Sequence, residues 1–442
     1  MQMEENNDDA GLEGYSQGQL DGLAGLHKRF MDGRIGGRRA IVKRVDLTGL
    51  SLKGSNMRQA DFTGCVMRDM DLRGADFREA CLYACDLSGA NLNNASFARA
   101  DLRGARIEMA KLTGTDLENA DLRGGGYSAD GSVVQPQNVN FRGADLTESR
   151  LSGSMASNAD FTDAVLAKAR IERADFSNAC LNGTNMEGAR IEGAVFQGAS
   201  FSDAILTDVE LGQVEERTID LTDAVTDHNV GESILSLSQP LAKLIDIHKT
   251  WVESRGKKGQ QLDLSGYDMR ELKTMRMEVL TAIKAVDTRF FGMNLYKIQL
   301  QSAVLDKSDF RNCDMEEADL RGASLRQAQM NHANLRGADM SALLFGTGAK
   351  QRFSPCNMEE ARLRYADLHG ANLRNVNLSG ADLAHADLGE ADLSEADLRG
   401  ANLETAIFDN ATTQKTLFDQ DEQEERAFSL AALSAEDEEA GD

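Results

Sequence analysis

From Leu47 onward an apolar side chain returns at every fifth position, through Leu52, Met57, Phe62 and so on to Leu122. The register breaks between Arg123 and Asn138, resumes at Phe141 and runs to Leu211. A second ladder runs from Phe290 to Phe345, breaks from Gly346 to Asn357, and resumes from Met358 to Phe408. Two residues before each apolar centre sits a small one, usually alanine, with Asp or Asn between. Ala75-Asp76-Phe77 and Ala396-Asp397-Leu398 are examples. A helix repeats every 3.6 residues and a strand every 2, so a step of five matches neither. It suits a square coil in which each five-residue unit forms one short side and four units close a turn. The centre and the small residue then point inward and the other three positions face water. Coils stacked at the strand spacing of ~4.8 Å predict rods of roughly 35–40 Å and 28 Å for the two ladders.

The pattern resembles the pentapeptide-repeat family over Asp46 to Ala224 and Thr288 to Asn410. That resemblance implies an all-β solenoid, a right-handed quadrilateral β-helix. It leaves function open, because members of the family do different things on one scaffold.

Two stretches outside the ladders also match each other. Leu26-His27-Lys28-Arg29-Phe30-Met31-Asp32 is followed by Arg34, Gly36 and Gly37. Ile247-His248-Lys249-Thr250-Trp251-Val252-Glu253 is followed by Arg255, Gly256 and Gly259. Asp46-Leu47-Thr48-Gly49 follows the first and Asp263-Leu264-Ser265-Gly266 the second. The chain therefore reads as two β-helices in tandem, each preceded by a short helical cap and a basic turn. A solenoid end exposes core and strand edges, and a helix can cover both. The predicted division is 1–44 for an acidic N-terminus, helical cap and basic turn; 45–224 for the first solenoid; 225–289 for a helical linker and cap; 290–409 for the second solenoid; and 410–442 for an acidic tail expected to be disordered. Residues 270–287 fit two patterns. Leu272, Met275, Val279, Ile283 and Val286 have helical spacing, whereas Met275, Leu280, Ala285 and Phe290 keep the five-step; the helix is favoured.

Composition removes several functional classes. No apolar run approaches the ~20 residues of a membrane span, and the acidic start lacks a signal-peptide pattern. Membrane insertion is not expected and a cytoplasmic location is. The six cysteines include no Cys-x-x-Cys pair, and Cys65, Cys85, Cys313 and Cys356 take the small inward position as enlarged alanines. His27 and His248 occupy matching cap positions; His332, His369 and His385 fall outward without metal-ligand spacing. No nucleophile–base pair, phosphate loop or dinucleotide fingerprint is present, so no enzyme activity, cofactor or metal is expected. Of 17 phenylalanines, twelve fall on ladder centres, Phe345 and Phe408 among them. They are assigned to the core, which leaves little for stacking on nucleic-acid bases. Direct nucleic-acid binding is not expected.

Charge bears on the choice of partner. The resemblance brings one precedent: some members mimic duplex DNA and block a type II topoisomerase with an acidic rod. The formal net charge here is -24. Residues 410–442 alone hold ten acids against Lys415 and Arg426, so the repeats carry only part of the excess. Arginines following the centre, such as Arg58 over Arg78 and Arg103 over Arg123, interrupt the acidic stripe. The favoured reading is a non-enzymatic scaffold or adaptor for protein partners, with a homodimer among the options. A DNA-mimic inhibitor or protector of gyrase is the alternative. Candidate partner-binding residues are Arg34, Arg38 and Arg39 in the basic turn, Tyr127 and Gln135 in the first break, and Lys350, Arg352 and Phe353 in the second.

Overall fold

The computed structural model describes residues 12–125, 137–213, 219–345 and 352–419. The chain divides into two compact units, Met1–Asn229 and Val230–Asp442. Both are built from single parallel β-bridges separated by two-residue turns rather than from long strands. Asp61 bridges Cys81, which bridges Asp101, which bridges Asp121; three parallel series pass through Val66, Asp71 and Asp76. Bridge partners lie twenty positions apart, so four sides make one coil. Each side is tied three ways. The Phe62 N–H donates to the Cys81 carbonyl at 2.8 Å, the Asp61 N–H donates to Ala40 at 3.0 Å, and the Cys65 N–H closes the turn onto Phe62 at 3.0 Å.

Inside the coils the centres stack on their equivalents one turn away. Phe77 and Phe97 are parallel at 5.1 Å between centroids, Phe141 and Phe161 at 4.7 Å, and Phe290 and Phe310 at 4.8 Å. Several buried hydroxyls and thiols at the small position find a carbonyl acceptor, as buried polar groups usually do, although the Ser149 and Ser154 hydroxyls have none. The Thr115 and Thr288 hydroxyls donate to the Leu92 and Leu264 carbonyls at 2.8 Å; the Cys85 and Cys313 thiols donate to Phe62 and Phe290 at 2.9 and 3.0 Å. Cysteine is here a donor as well as an enlarged alanine. At the corners the residue two past the centre lies in the left-handed region. Glycine accepts this freely, as at Gly74 (φ 64°), yet Asn94 (φ 58°) and Glu79 (φ 61°) are held there too against their preference.

The two insertions leave the stack intact. Arg106 bridges Asn140 and Asp121 bridges Met155, so the series rejoin beyond the first one; an antiparallel Gly125–Gln137 bridge closes its base. In the second unit Ser324 bridges Asn357. The second insertion opens with an antiparallel ribbon.

Each unit begins alike. Strand β1 (Glu13–Gly14) and strand β2 (Val45–Asp46) pair in parallel and flank helix α1 (Gln17–Met31). Strands β3 (Glu232–Ser233) and β4 (Tyr267–Asp268) flank helix α2 (Leu241–Glu253) in the same way. Ser16 and Gln19 form a capping box on α1 that satisfies its first backbone donors. Leu20 of α1 is buried in the first core and Ile245 of α2 in the second. His27 and His248 fasten the helices. The Ala40 N–H donates to His27 Nδ1 at 3.0 Å, and His27 Nε2 faces the Arg58 carbonyl at 3.1 Å. His248 repeats this with the Leu262 N–H (3.1 Å) and the Thr281 carbonyl (3.0 Å). Each ring is therefore neutral, with its proton on Nε2. Just beyond, a side chain on Gly37 would overlap the Phe30 backbone, and one on Gly259 the Ile247 and Trp251 backbone.

Four expectations are corrected. Residues 274–289 continue the ladder, with Thr274 bridging Asn294 and Lys284 bridging Val304; only Arg270–Leu272 form a single helical turn. The inter-coil bonds outweigh the helical pattern there, and Val279 is half-exposed on the outside. Helix α2 starts only after Pro240, so Ile234 and Leu237 precede it. The matching histidine contacts and strand pairs make β4 the counterpart of β2, so Asp263-Leu264 lies one side earlier than the matched sequences implied. A five-residue repeat makes such a slip nearly invisible. The bridges also run past 409, to Thr412 and Leu417.

Substituting Phe97 by Ala, which removes a buried stacked ring, should cost about 3–5 kcal/mol, measured by denaturant unfolding. The histidine anchors predict a pH dependence. Burial lowers both imidazole pKa values, and the Arg39 charge adds to this at His27. A lowered folded pKa contributes stability that is full above the ordinary value of 6.5 and is lost as pH falls through the folded one. Amide exchange at Ala40 and Leu262, corrected for intrinsic rate, should accelerate below pH 6.5. In a His27→Ala, His248→Ala double variant it should be fast at every pH.

Candidate functional site

The polar surface starts from the residue between the small one and the centre. Its carboxylate accepts the backbone N–H two positions on, a local turn contact that Asp and Asn favour. Where that next residue is Thr, the hydroxyl joins in: Asp46 accepts the Thr48 N–H at 2.9 Å and its hydroxyl at 2.6 Å. Where it is Arg, a two-pronged fork forms. Arg73 Nε and Nη2 donate to the two Asp71 oxygens at 2.8 and 2.7 Å. The same fork joins Arg78 to Asp76, Arg103 to Asp101, Arg123 to Asp121, Arg321 to Asp319 and Arg399 to Asp397. Arg103 also lies 3.6 Å from Asp121 on the next coil. Elsewhere Gln59 and Arg99 clasp Glu79 from the coils on either side. The arginines thus neutralise the carboxylates they adjoin.

Chemistry of other kinds finds little foothold. Burial pushes the Cys65 thiol up to about 11 and Cys356 to about 12, away from the thiolate that reactivity needs. The outward His332 and His385 sandwich Tyr365, with centroids 5.0 and 4.7 Å apart. Among the described residues, no three His, Cys, Asp or Glu side chains are grouped to hold a metal, and no helix is long and apolar enough to cross a membrane. A groove of about 950 Å³ in the first unit carries mixed charge from Glu118, Arg170, Glu172, Arg173 and Glu192.

The candidate partner-binding residues fall in separate places. Arg34, Arg38 and Arg39 are exposed after α1. Arg34 lies 3.4 Å from Asp32, and Arg39 turns back to donate to the Gln59 carbonyl at 2.6 Å. Between them Ile35 is fully exposed. Tyr127, Gln135 and Lys350 lie outside the described residues. Arg352 and Phe353 belong to strand β6 (Arg352–Ser354), which pairs antiparallel with strand β5 (Leu343–Phe345). This ribbon corrects the assignment of Phe345 to the core. The ladder leaves the coil after Met340, and Phe345 is 45% exposed. Leu344 at 58% and Phe353 at 53% accompany it. The only advance sign was Leu343 standing where a small residue belongs. Met293 and Ile298 break that rule inside the coils, so the sign was faint.

Models of pentapeptide repeats match residues 43–78, 80–124, 137–179, 169–208, 286–322, 303–341, 352–380 and 377–412, more than half of the sequence. The chain belongs to the pentapeptide-repeat family, and its coils are those of a right-handed β-helix. No curated protein matches it. Among solved structures it is similar to a trypsin-treated form of QnrB1, a plasmid-mediated fluoroquinolone resistance protein. Identity is 23% over 42% of this chain and 91% of that one, with a TM-score of 0.31. It is also similar to Rfr23 from the cyanobacterium Cyanothece 51142, at 24% identity over 34% and 95% of the two chains, TM-score 0.18. HetL, involved in heterocyst differentiation regulation in Nostoc sp. strain PCC 7120, matches at 20% identity over 89% and 95%, TM-score 0.12.

The forks predict an acid titration. Arg73 holds the Asp71 carboxyl down to about 2, from an ordinary 3.8. Asp71 should stay ionised until pH falls below the usual carboxylate range. The stability it contributes is present above 3.8 and lost as pH falls towards 2. Carboxyl NMR titration should show this, and Arg73→Ala should move the midpoint of Asp71 back up.

Proposed function

We propose that this protein is a non-enzymatic scaffold or adaptor that binds protein partners in the cytoplasm. In this reading it is two quadrilateral β-helices in tandem, each fronted by a helical cap, with the coil faces and the two insertions as contact surfaces. The observation that carries it is the β5–β6 ribbon. Leu344 and Phe353 stand exposed side by side on one face of a ribbon rooted in the coil, and Phe345 is exposed on the other. Clustered exposed apolar residues mark interaction sites, and elements projecting from rigid supports often carry recognition. The basic turn of Arg34, Arg38 and Arg39 around Ile35 supplies a second surface suited to an anionic protein face. Members of the family are generally structural or binding proteins, which agrees with this assignment.

The alternative, mimicry of duplex DNA towards gyrase, draws on the net charge of -24. A mimic needs an unneutralised row of acids at a density approaching that of DNA, about one charge per 1.7 Å. The Asp–Arg forks count against such a row, because each removes one carboxylate from it.

Affinity capture from the protein's own lysate tests the scaffold reading. A Leu344→Asp, Phe353→Asp double variant should lose at least one specific partner while keeping its thermal midpoint, since both side chains are exposed. An unchanged set of captured proteins would remove the ribbon from the proposal. Gyrase supercoiling should be unaffected at micromolar protein. Strong inhibition that disappears on charge reversal along one coil face would establish the mimic instead.

A further inference from the structure

The register of the ribbon decides which way its side chains point. Leu344 is paired with Phe353 directly across the strands, so both project from one face; Leu343–Ser354 and Phe345–Arg352 project from the other. The second face is held at its root. A side chain on Gly322 would meet Leu343 Cβ at 2.9 Å and the Ser354 carbonyl at 3.2 Å, so the ribbon rests on that glycine. Leu344 and Phe353 therefore form the outer face; Phe345 and Arg352 project from the opposite one, and both are exposed. Among the described residues Arg352 makes no ion pair.

We propose that this outer face is a docking site for the chain's own segment 421–433, which covers it until a partner takes its place. Displacement by a partner rests on the scaffold reading; the docking does not. Three observations select this occupant. The segment places Asp421, Glu422, Glu424 and Glu425, followed by a single Arg426, before Phe428, Leu430 and Leu433, so it offers net acid to Arg352 and apolar groups to Leu344 and Phe353. It also starts nearby. The coil face that receives the chain after the ribbon, at Asn357, continues through Asn377 and Asp397 to Leu417. Three coil steps are about 14 Å, and the residues from Leu417 to Phe428 span up to about 36 Å when extended. Finally, a short tether holds the segment at an effective concentration in the millimolar range, far above that of a second copy in solution.

The test places a photo-crosslinking phenylalanine analogue at position 353 of the full chain, irradiated at sub-micromolar concentration, with peptides read by mass spectrometry. Crosslinks from 353 into 421–433 are expected, and in a mixture of light and heavy isotope chains they should join peptides of the same label. Crosslinks between labels would replace the segment by a second copy. No crosslink into 421–433 would overturn the proposal. Arg352→Glu, or half-molar salt, should lower the yield several-fold, and an unchanged yield would overturn the charge contribution. No partner is needed for this readout, so its failure leaves the scaffold reading standing. Loss of that reading through lysate capture leaves the crosslink result standing in turn.

Discussion

Every coil here is held by the backbone bonds it makes to the chain twenty residues further on. A side is a single bridge with a turn at each end, too short to persist alone. Parallel bonding to the coils above and below supplies the persistence, and it accounts for the other features of the chain. The cross-section is small, so four large centres must alternate with four small residues. The corners must turn sharply, so even Glu79 and Asn94 are driven into the left-handed region. Helices α1 and α2 are tied to the coils by buried histidines, His27 and His248, whose two nitrogens satisfy backbone groups on either side.

The same constraint separates what was readable in advance from what was not. The five-step is a direct imprint of the side length, which is why ladder positions such as Phe62, Leu117 and Leu398 could be placed inside from residue type alone. The paired His27 and His248 were recognisable by their matching neighbours. Three other features escaped. Val279 and Ile283 suit a helix, and only bonding to Gln299 and its neighbours decides for the coil. The equivalence of β2 with β4 is hidden because a slip of five residues changes almost nothing in such a sequence. Phe345 keeps the beat of the ladder while belonging to a ribbon, and Leu343 at the small position marks the exit only faintly. Phe353 was named as a candidate contact from its place in the break, but that Leu344 shares its face and Phe345 does not needed the register.

The surface chemistry also follows from the coil. An aspartate before the centre is well placed to accept the N–H two residues on, and the side chain of that residue then lies within reach of the carboxylate. Thr48 and Arg73 use this geometry in different ways, one with a hydroxyl and one with a guanidinium fork. Acidic composition here therefore reports turn chemistry first. The carboxylates that remain for long-range electrostatics are fewer than the formal charge suggests.

The insertions between Asp121 and Asn140, and between Asp339 and Asn357, have a further consequence. Because the series rejoin across them, each lengthens the loop closed by one bridge from twenty residues to 34 or 33. Loop-closure entropy rises only logarithmically, so even a doubling of length costs about 0.6 kcal/mol. A corner of the coil can therefore accept a segment of almost any length at nearly constant stability. Natural variation and deliberate grafting both have room there, without altering the pitch of the coils on either side.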